Sequence, residues 1–305
     1  MLLNVGGIEM IQVNQVHQTP VSLLGEGPHY EANFNRLIWV DIEGCKIHRY
    51  HCESGKMESI SSPQKPGVII PRDDGKYICG MQDGIYIVDF EKAEFKLLTY
   101  LEQDIELHRC NDGKCDSYGR FWVGTYPMHG GLFTGALYSL QFDTGVPQSH
   151  LQQIGCSNGI AWSADNRTMY YIDSPTKRVD AFDYQIETGA ISNRRAVIEI
   201  PQGMGVPDGM TIDSDDHLWI AHWGGWCVSH WNPKTGKMLG KIELPVSQVT
   251  SVCFAGERMN KLFITSAKVG LDEKQLQQEP LAGSLFVVEL ERKGKENSHF
   301  VTKRS

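Results

Sequence analysis

The sequence predicts an all-β chain closed into a six-bladed β-propeller, on three observations. One short segment recurs six times. Turn residues bracket each copy at close spacing, and no amphipathic helix of useful length interrupts the series. An all-β chain with a repeat of roughly 40–50 residues reads as a propeller, because one blade cannot bury its own apolar faces and must stack on neighbours.

The recurring segment is an apolar pair, often aromatic, set between turns. It reads Leu37-Ile38-Trp39-Val40, Lys76-Tyr77-Ile78-Cys79, Arg120-Phe121-Trp122-Val123, Thr168-Met169-Tyr170-Tyr171, His217-Leu218-Trp219-Ile220 and Lys261-Leu262-Phe263-Ile264. A polar turn precedes each copy, as in Asp73-Asp74-Gly75 and Asp213-Ser214-Asp215-Asp216. A short apolar strand lies before that turn (Gly159-Ile160-Ala161-Trp162, Met210-Thr211-Ile212), and another follows the segment (Arg178-Val179-Asp180-Ala181-Phe182-Asp183). Alternation such as Gly84-Ile85-Tyr86-Ile87-Val88-Asp89 is the strand period of two. The exception is Leu271 to Glu279, which reads as one short helical turn in a loop. The Gly-His and Trp-Asp signature of interaction propellers is missing, and no Pro-, Gly- or Ser-rich linker divides the chain. The expected organisation is an N-terminal extension and closing-strand region (1–20), one propeller (21–292) and a C-terminal tail (293–305). The first nine residues carry no pattern, so Met10 is an alternative start.

Composition narrows the function. Over 305 residues, 29 Lys and Arg face 37 Asp and Glu, a net charge of -8. An acidic, well-mixed chain is a poor nucleic-acid binder, since phosphate affinity needs clustered basic residues. The one basic run, residues 292–304, is expected to be a frayed, solvated tail. No apolar stretch is long enough to span a membrane, and residues 1–18 lack the features of a secretory signal. The eight cysteines form no CxxC pair. Free, buried, inert thiols in a cytoplasmic protein are expected, and short protected blade edges suit a monomer or a weak homo-oligomer.

The polar residues in register point to a site. The first strand of each propeller blade lines the central channel and begins at one mouth. Glu26, Asn111, Asn158 and Asp208 lie 11, 9, 10 and 9 residues before the recurring segment of their own blades. Taken singly, Asn-Gly and Asp-Gly are hairpin signals. Here the repeat already has a separate turn at its other end, so the shared position favours a site. Oxygen donors converging from several blades suit one hard divalent cation (Ca²⁺, Mg²⁺ or Mn²⁺), with Zn²⁺ possible at fewer ligands. Arg109 beside Asn111 would hold a polar substrate or a developing oxyanion. Asp112 could orient a ligand or shape the turn, and His129, Trp223 and Trp226 could line the mouth. His29 and His222 form no spaced metal pair. No GxSxG elbow or catalytic Cys-His pair is present.

These segments carry a resemblance. Gly25-Glu26-Gly27-Pro28-His29-Tyr30, Arg109-Cys110-Asn111-Asp112-Gly113, Ser157-Asn158-Gly159-Ile160-Ala161-Trp162 with Tyr170-Tyr171-Ile172-Asp173-Ser174, and Pro207-Asp208-Gly209-Met210 resemble the SMP-30/gluconolactonase/luciferin-regenerating-enzyme family of six-bladed propellers. The resemblance runs from about Leu24 to about Leu290. It implies that Glu26, Asn158 and Asp208 are metal ligands, that Arg109 and Asn111 bind substrate, and that Asp208 transfers protons during hydrolysis of sugar lactones such as gluconolactone. Animal members carry an acidic substrate contact in the loop after the third-blade strand. The corresponding stretch here, Thr125 to Gly135, is shorter and has no carboxylate, so the sugar contacts there must differ. Ala221-His222-Trp223-Gly224-Gly225-Trp226 resembles the bacterial sugar lactonases more than the regucalcin type. Two other readings remain open: hydrolysis of a different ester or phosphoester in the same site, and a calcium-binding regulatory protein that uses the propeller as a platform.

Overall fold

The computed structural model describes residues 12–102, 105, 107–129 and 131–303. Met10, and with it most of the expected N-terminal extension, lies outside the described residues. Among the described residues the strands form six four-stranded antiparallel sheets, five of them built from consecutive strands. Their innermost strands are Gly25–Glu31, Val68–Pro71, His108–Cys115, Ser157–Trp162, Val206–Ile212 and Val249–Ala255, which define blades 1 to 6 in chain order. The sixth blade uses both ends of the chain. Its outermost strand is Asn14–Gln15, which pairs with Phe286–Glu289 (Asn14 opposite Val287, Gln15 opposite Phe286) and closes the ring. The chain is thus the six-bladed β-propeller that its repeat predicts.

The recurring segment proves to be the second strand of each blade, and its lack of apolar/polar alternation now has a cause. Successive strand side chains point to opposite faces, and both faces of a blade are covered by neighbours. Leu37 and Trp39 join a core cluster with Cys253 and Phe263 of blade 6, while Ile38 and Val40 join one with Ile69 and Tyr77 of blade 2. The core is a ring of such clusters, one between each pair of adjacent blades. Each fully buried large side chain there, such as Trp122 or Phe254, contributes on the order of 1.5–3 kcal/mol. The helical turn expected after Leu271 is the short helix Glu273–Gln278, started by an Asp272–Gln275 capping box.

The tail corrects an expectation. Residues 292–303 are docked rather than frayed. The tail crosses the propeller face opposite the site mouth and bonds to the ends of the inner strands. Lys295 N–H donates to Ile212 O (3.3 Å), Phe300 N–H to Pro71 O (2.9 Å) and Val301 N–H to Gly119 O (3.1 Å), and Cys115 forms a bridge with Ser298. Phe300 is fully buried in the cluster between blades 2 and 3. The surrounding basic residues hid this one anchoring aromatic ring. Arg304, the last residue of the basic run, lies outside the described residues.

Candidate functional site

Backbone irregularity creates the site. In five of the six blades the pairing of the innermost strand with the second strand slips: between Glu26 and His29, Cys110 and Gly113, Ser157 and Ile160, Pro207 and Met210, and, in blade 6, Val249 and Ser251. A β-bulge breaks the ladder and re-aims a side chain. Three of these slips lift out residues the sequence singled out, Asn111 with Asp112, Asn158 and Asp208, while Glu26 stays paired with Val40 immediately before the slip in blade 1. The Asn-Gly and Asp-Gly pairs are therefore bulge elements, not hairpin turns. Their glycines are required by close packing. A Cβ on Gly159 would lie 2.5 Å from Met210 Cβ, and one on Gly209 would lie 2.1 Å from Ser251 Oγ.

Glu26, Arg109, Asn111, Asn158 and Asp208 all line one cavity of about 630 Å³ at this mouth, together with Tyr126, Cys156, Ser174 and Trp223. All five are at least nine-tenths buried. A chain of hydrogen bonds orients the uncharged members. Arg109 Nη1 donates to Cys110 O (3.0 Å) and to Asn111 Oδ1, and its guanidinium lies 4.9 Å from the centre of the Tyr126 ring. Asn111 Nδ2 donates to Ser157 O (2.7 Å) and Asn158 Oδ1 (3.0 Å). Asn158 Nδ2 donates to Ser174 Oγ (2.8 Å), which donates on to Pro207 O (2.6 Å). With its nitrogen committed, Asn158 presents an oxygen on the Asn111 side.

The charged members repel one another. Burial, then the Asp112 charge, pushes the Glu26 carboxyl up from 4.5 to about 8, against the opposing Gly27 N–H and Arg109. Burial, then Glu26 and Asp112, lifts the Asp208 carboxyl well above its ordinary range, again opposed by Arg109. Asp112 is buried and accepts from Gly113 N–H (2.7 Å). It is not part of the cavity lining, and acts on the mouth through its charge. Arg109 opposes Glu26 and Asp208, and Lys114 opposes Asp112, so three carboxylates against two cations still leave an excess of negative charge that a divalent cation would neutralise.

Other expectations resolve individually. Trp223 lines the cavity; His129 and Trp226 are exposed and do not. His222 is fully buried against Ser229 Oγ (2.6 Å), and burial holds it down at about 4, so its role is packing. His29 is buried and pushed down to about 3 by burial and by Lys114 and His299. Among the described residues the cysteines form no disulfide, and Cys156, which touches the site, is kept as a thiol by burial. Sequence reasoning missed Glu43 and Lys65. They line the same cavity as an ion pair, with Lys65 Nζ 2.8 and 2.9 Å from the two Glu43 oxygens. Both sit on loops outside the repeat register, where no spacing marks them.

The chain matches the SMP-30/Gluconolactonase/LRE-like region over residues 24–268. It belongs to this family. Regucalcin of Danio rerio is 39% identical over 267 residues, covering 87% of this chain and 90% of that protein. YvrE of Bacillus subtilis (strain 168), whose name proposes a sugar lactone lactonase, is 34% identical over 273 residues, covering 90% and 93%. The structure of a regucalcin from Agrobacterium tumefaciens str. C58, described as a calcium-binding protein, superposes with a TM-score of 0.90 at 26% identity, covering 95% of this chain and 97% of that one. Both lactonase and calcium-binding names thus surround this family member. No helix among the described residues is long and apolar enough to cross a membrane.

Proposed function

We propose that the chain is a metal-dependent hydrolase that opens sugar lactones to aldonic acids. The observation that carries this reading is the meeting of Glu26, Asn158 and Asp208 with Arg109 and Asn111 around one cavity. Glu26, Asn158 and Asp208 form an all-oxygen donor set, which suits a hard divalent cation and argues against a thiolate site. The raised carboxyls of Glu26 and Asp208 support the same assignment, since a cation would return both to their ionised forms. When bound, such an ion polarises an ester carbonyl and lowers the pKa of water.

This chain's residues supply the rest. Asp208 accepts the proton of the water whose oxygen bonds to the lactone carbonyl carbon. As the ring C–O bond breaks, the proton passes to the departing ring oxygen. The Arg109 guanidinium, held over the Tyr126 ring and bonded to Asn111, donates to the oxygen on which negative charge develops. Glu43, braced by Lys65, offers the cavity a carboxylate that the shortened third-blade loop lacks. We assign it to the sugar hydroxyls, which accounts for a polyhydroxylated substrate. The unpaired thiols support a cytoplasmic location.

The test is proton release from glucono-1,5-lactone by chelator-stripped protein, with Ca²⁺, Mn²⁺, Mg²⁺ and Zn²⁺ restored in turn. Turnover that returns with metal and disappears in Asp208→Ala is expected. Stoichiometric ion binding without turnover, with Ca²⁺ strongly preferred, would favour the second reading, a calcium-binding regulator, to which the similarity to regucalcins points.

A further inference from the structure

A second group of ligand-type side chains lies at the opposite end of blade 5. Asp213 opens the turn directly after the innermost strand, His217 precedes the second strand, and His230 comes from the third. One ligand atom from each lies within 4.8 Å of the other two. His230 Nε2 is 3.1 Å and His217 Nδ1 3.9 Å from Asp213 Oδ2. His217 Nδ1 is buried and has no hydrogen-bond partner. Asp213 is 1% exposed.

Blade 3 shows what this framework does when it is complete. Asp116 Oδ1 there accepts from the backbone N–H groups of Tyr118 and Arg120, and Oδ2 from Trp122 Nε1 (2.9 Å) and Arg120 Nη1 (3.1 Å). Asp213 repeats the pattern: Oδ1 accepts from the N–H groups of Asp215 and His217, and Oδ2 from Trp219 Nε1 (3.0 Å). In both blades an imidazole packs on the tryptophan, His150 on Trp122 and His230 on Trp219. The two differ at the cation. Blade 3 puts Arg120 four residues after its aspartate; blade 5 puts His217 there, and its nitrogen is left unpaired beside the carboxylate.

We propose that Asp213, His217 and His230 form a transition-metal site, with Zn²⁺ as the fitting ion, separate from the cavity at the other mouth. Two imidazoles and one carboxylate, with a water in the fourth position, are a zinc donor set. Ligand atoms in a tetrahedral zinc shell sit about 3.3 Å apart, so the observed 3.1 and 3.9 Å need only a small closure. The Trp219 N–H on Asp213 Oδ2 is the outer partner that a ligating carboxylate requires. His217, 19% exposed, leaves a path for ion and water. The site would also brace the tail, because Ser214 N–H donates to Lys293 O (2.9 Å) and Asp213 bridges to Gly294.

The test uses Glu26→Gln/Asp208→Asn protein, in which the cavity donors are disabled, titrated with Zn²⁺ and with Co²⁺ as the coloured reporter. One equivalent is expected, with the intense visible bands of tetrahedral cobalt and a raised melting temperature. Adding His217→Arg should abolish the binding and the bands while the protein stays folded, since arginine is what blade 3 carries at that position. His217→Arg alone should leave lactone turnover unchanged. No binding to the double variant, or binding that survives both His217→Arg and His230→Gln, overturns the proposal and leaves the lactonase reading untouched.

Discussion

Without its ion, the three-carboxylate mouth should weaken the fold as pH rises, and Glu26→Gln should relieve it. The substitution keeps the side chain's shape and removes one buried charge. In the metal-free protein the Glu26 carboxyl stands at about 8 against an ordinary 4.5. A folded-state pKa above the unfolded value means that the native chain holds its proton longer. The corresponding stability is complete below the unfolded value and is lost as pH climbs through the folded one. At about 1.36 kcal/mol per pKa unit, moving from about pH 6 to about pH 9 should remove about 2–3 kcal/mol from metal-free wild type through Glu26 alone. Glu26→Gln should lose that share of the slope, and the Asp208 carboxyl, raised first by burial and then by Glu26 as its largest neighbouring charge, should fall as well. Urea unfolding of chelator-treated protein at the two pH values, compared at equal m, measures this directly. With saturating Ca²⁺ the order should reverse, since only wild type keeps both carboxylate ligands. A metal-free wild-type midpoint that does not move with pH, or a Glu26→Gln midpoint that moves in parallel with it, would refute the charge-crowding argument.

Three further outcomes follow from the same geometry. Asp208→Asn in metal-supplemented protein should lower kcat by about 100-fold or more, the usual weight of a proton-transfer group, without lowering the unfolding midpoint of the metal-free protein; turnover within a few-fold of wild type would move that role elsewhere. Arg109→Lys should lower kcat/KM by about 10-fold or more, because a point charge cannot reproduce the guanidinium plane seated on Tyr126; steady-state kinetics on gluconolactone read this, and an unchanged value would remove Arg109 from the substrate. Phe300→Ala should cost about 3–5 kcal/mol in urea unfolding, as for any fully buried phenylalanine; a loss under about 1 kcal/mol would mean that the tail is only laid against the propeller.

What the sequence made legible is what the repeat imposes. Trp39, Trp122 and Trp219 mark second strands because both faces of each blade are buried. Glu26, Asn158 and Asp208 were visible because a shared offset from those strands is also a shared position at the channel mouth. The bulges that turn Asn158 and Asp208 into the cavity were not visible, since a slipped pair leaves no trace in hydropathy. Residues outside that register were lost. Glu43 and Lys65 find each other across loops, and Phe300 is a single apolar residue in a basic run. The blade 5 cluster shows the limit most clearly. Asp213 and His217 belong to the turn and segment that define the repeat, but His230 joins them only because the second and third strands pair with Trp219 opposite His230. That register depends on the length and geometry of the connecting turn, where Trp226 adopts a positive φ of 59°. A site assembled across a hairpin therefore emerges only when the pairing is seen, whereas one assembled from equivalent strand starts can be read from spacing alone.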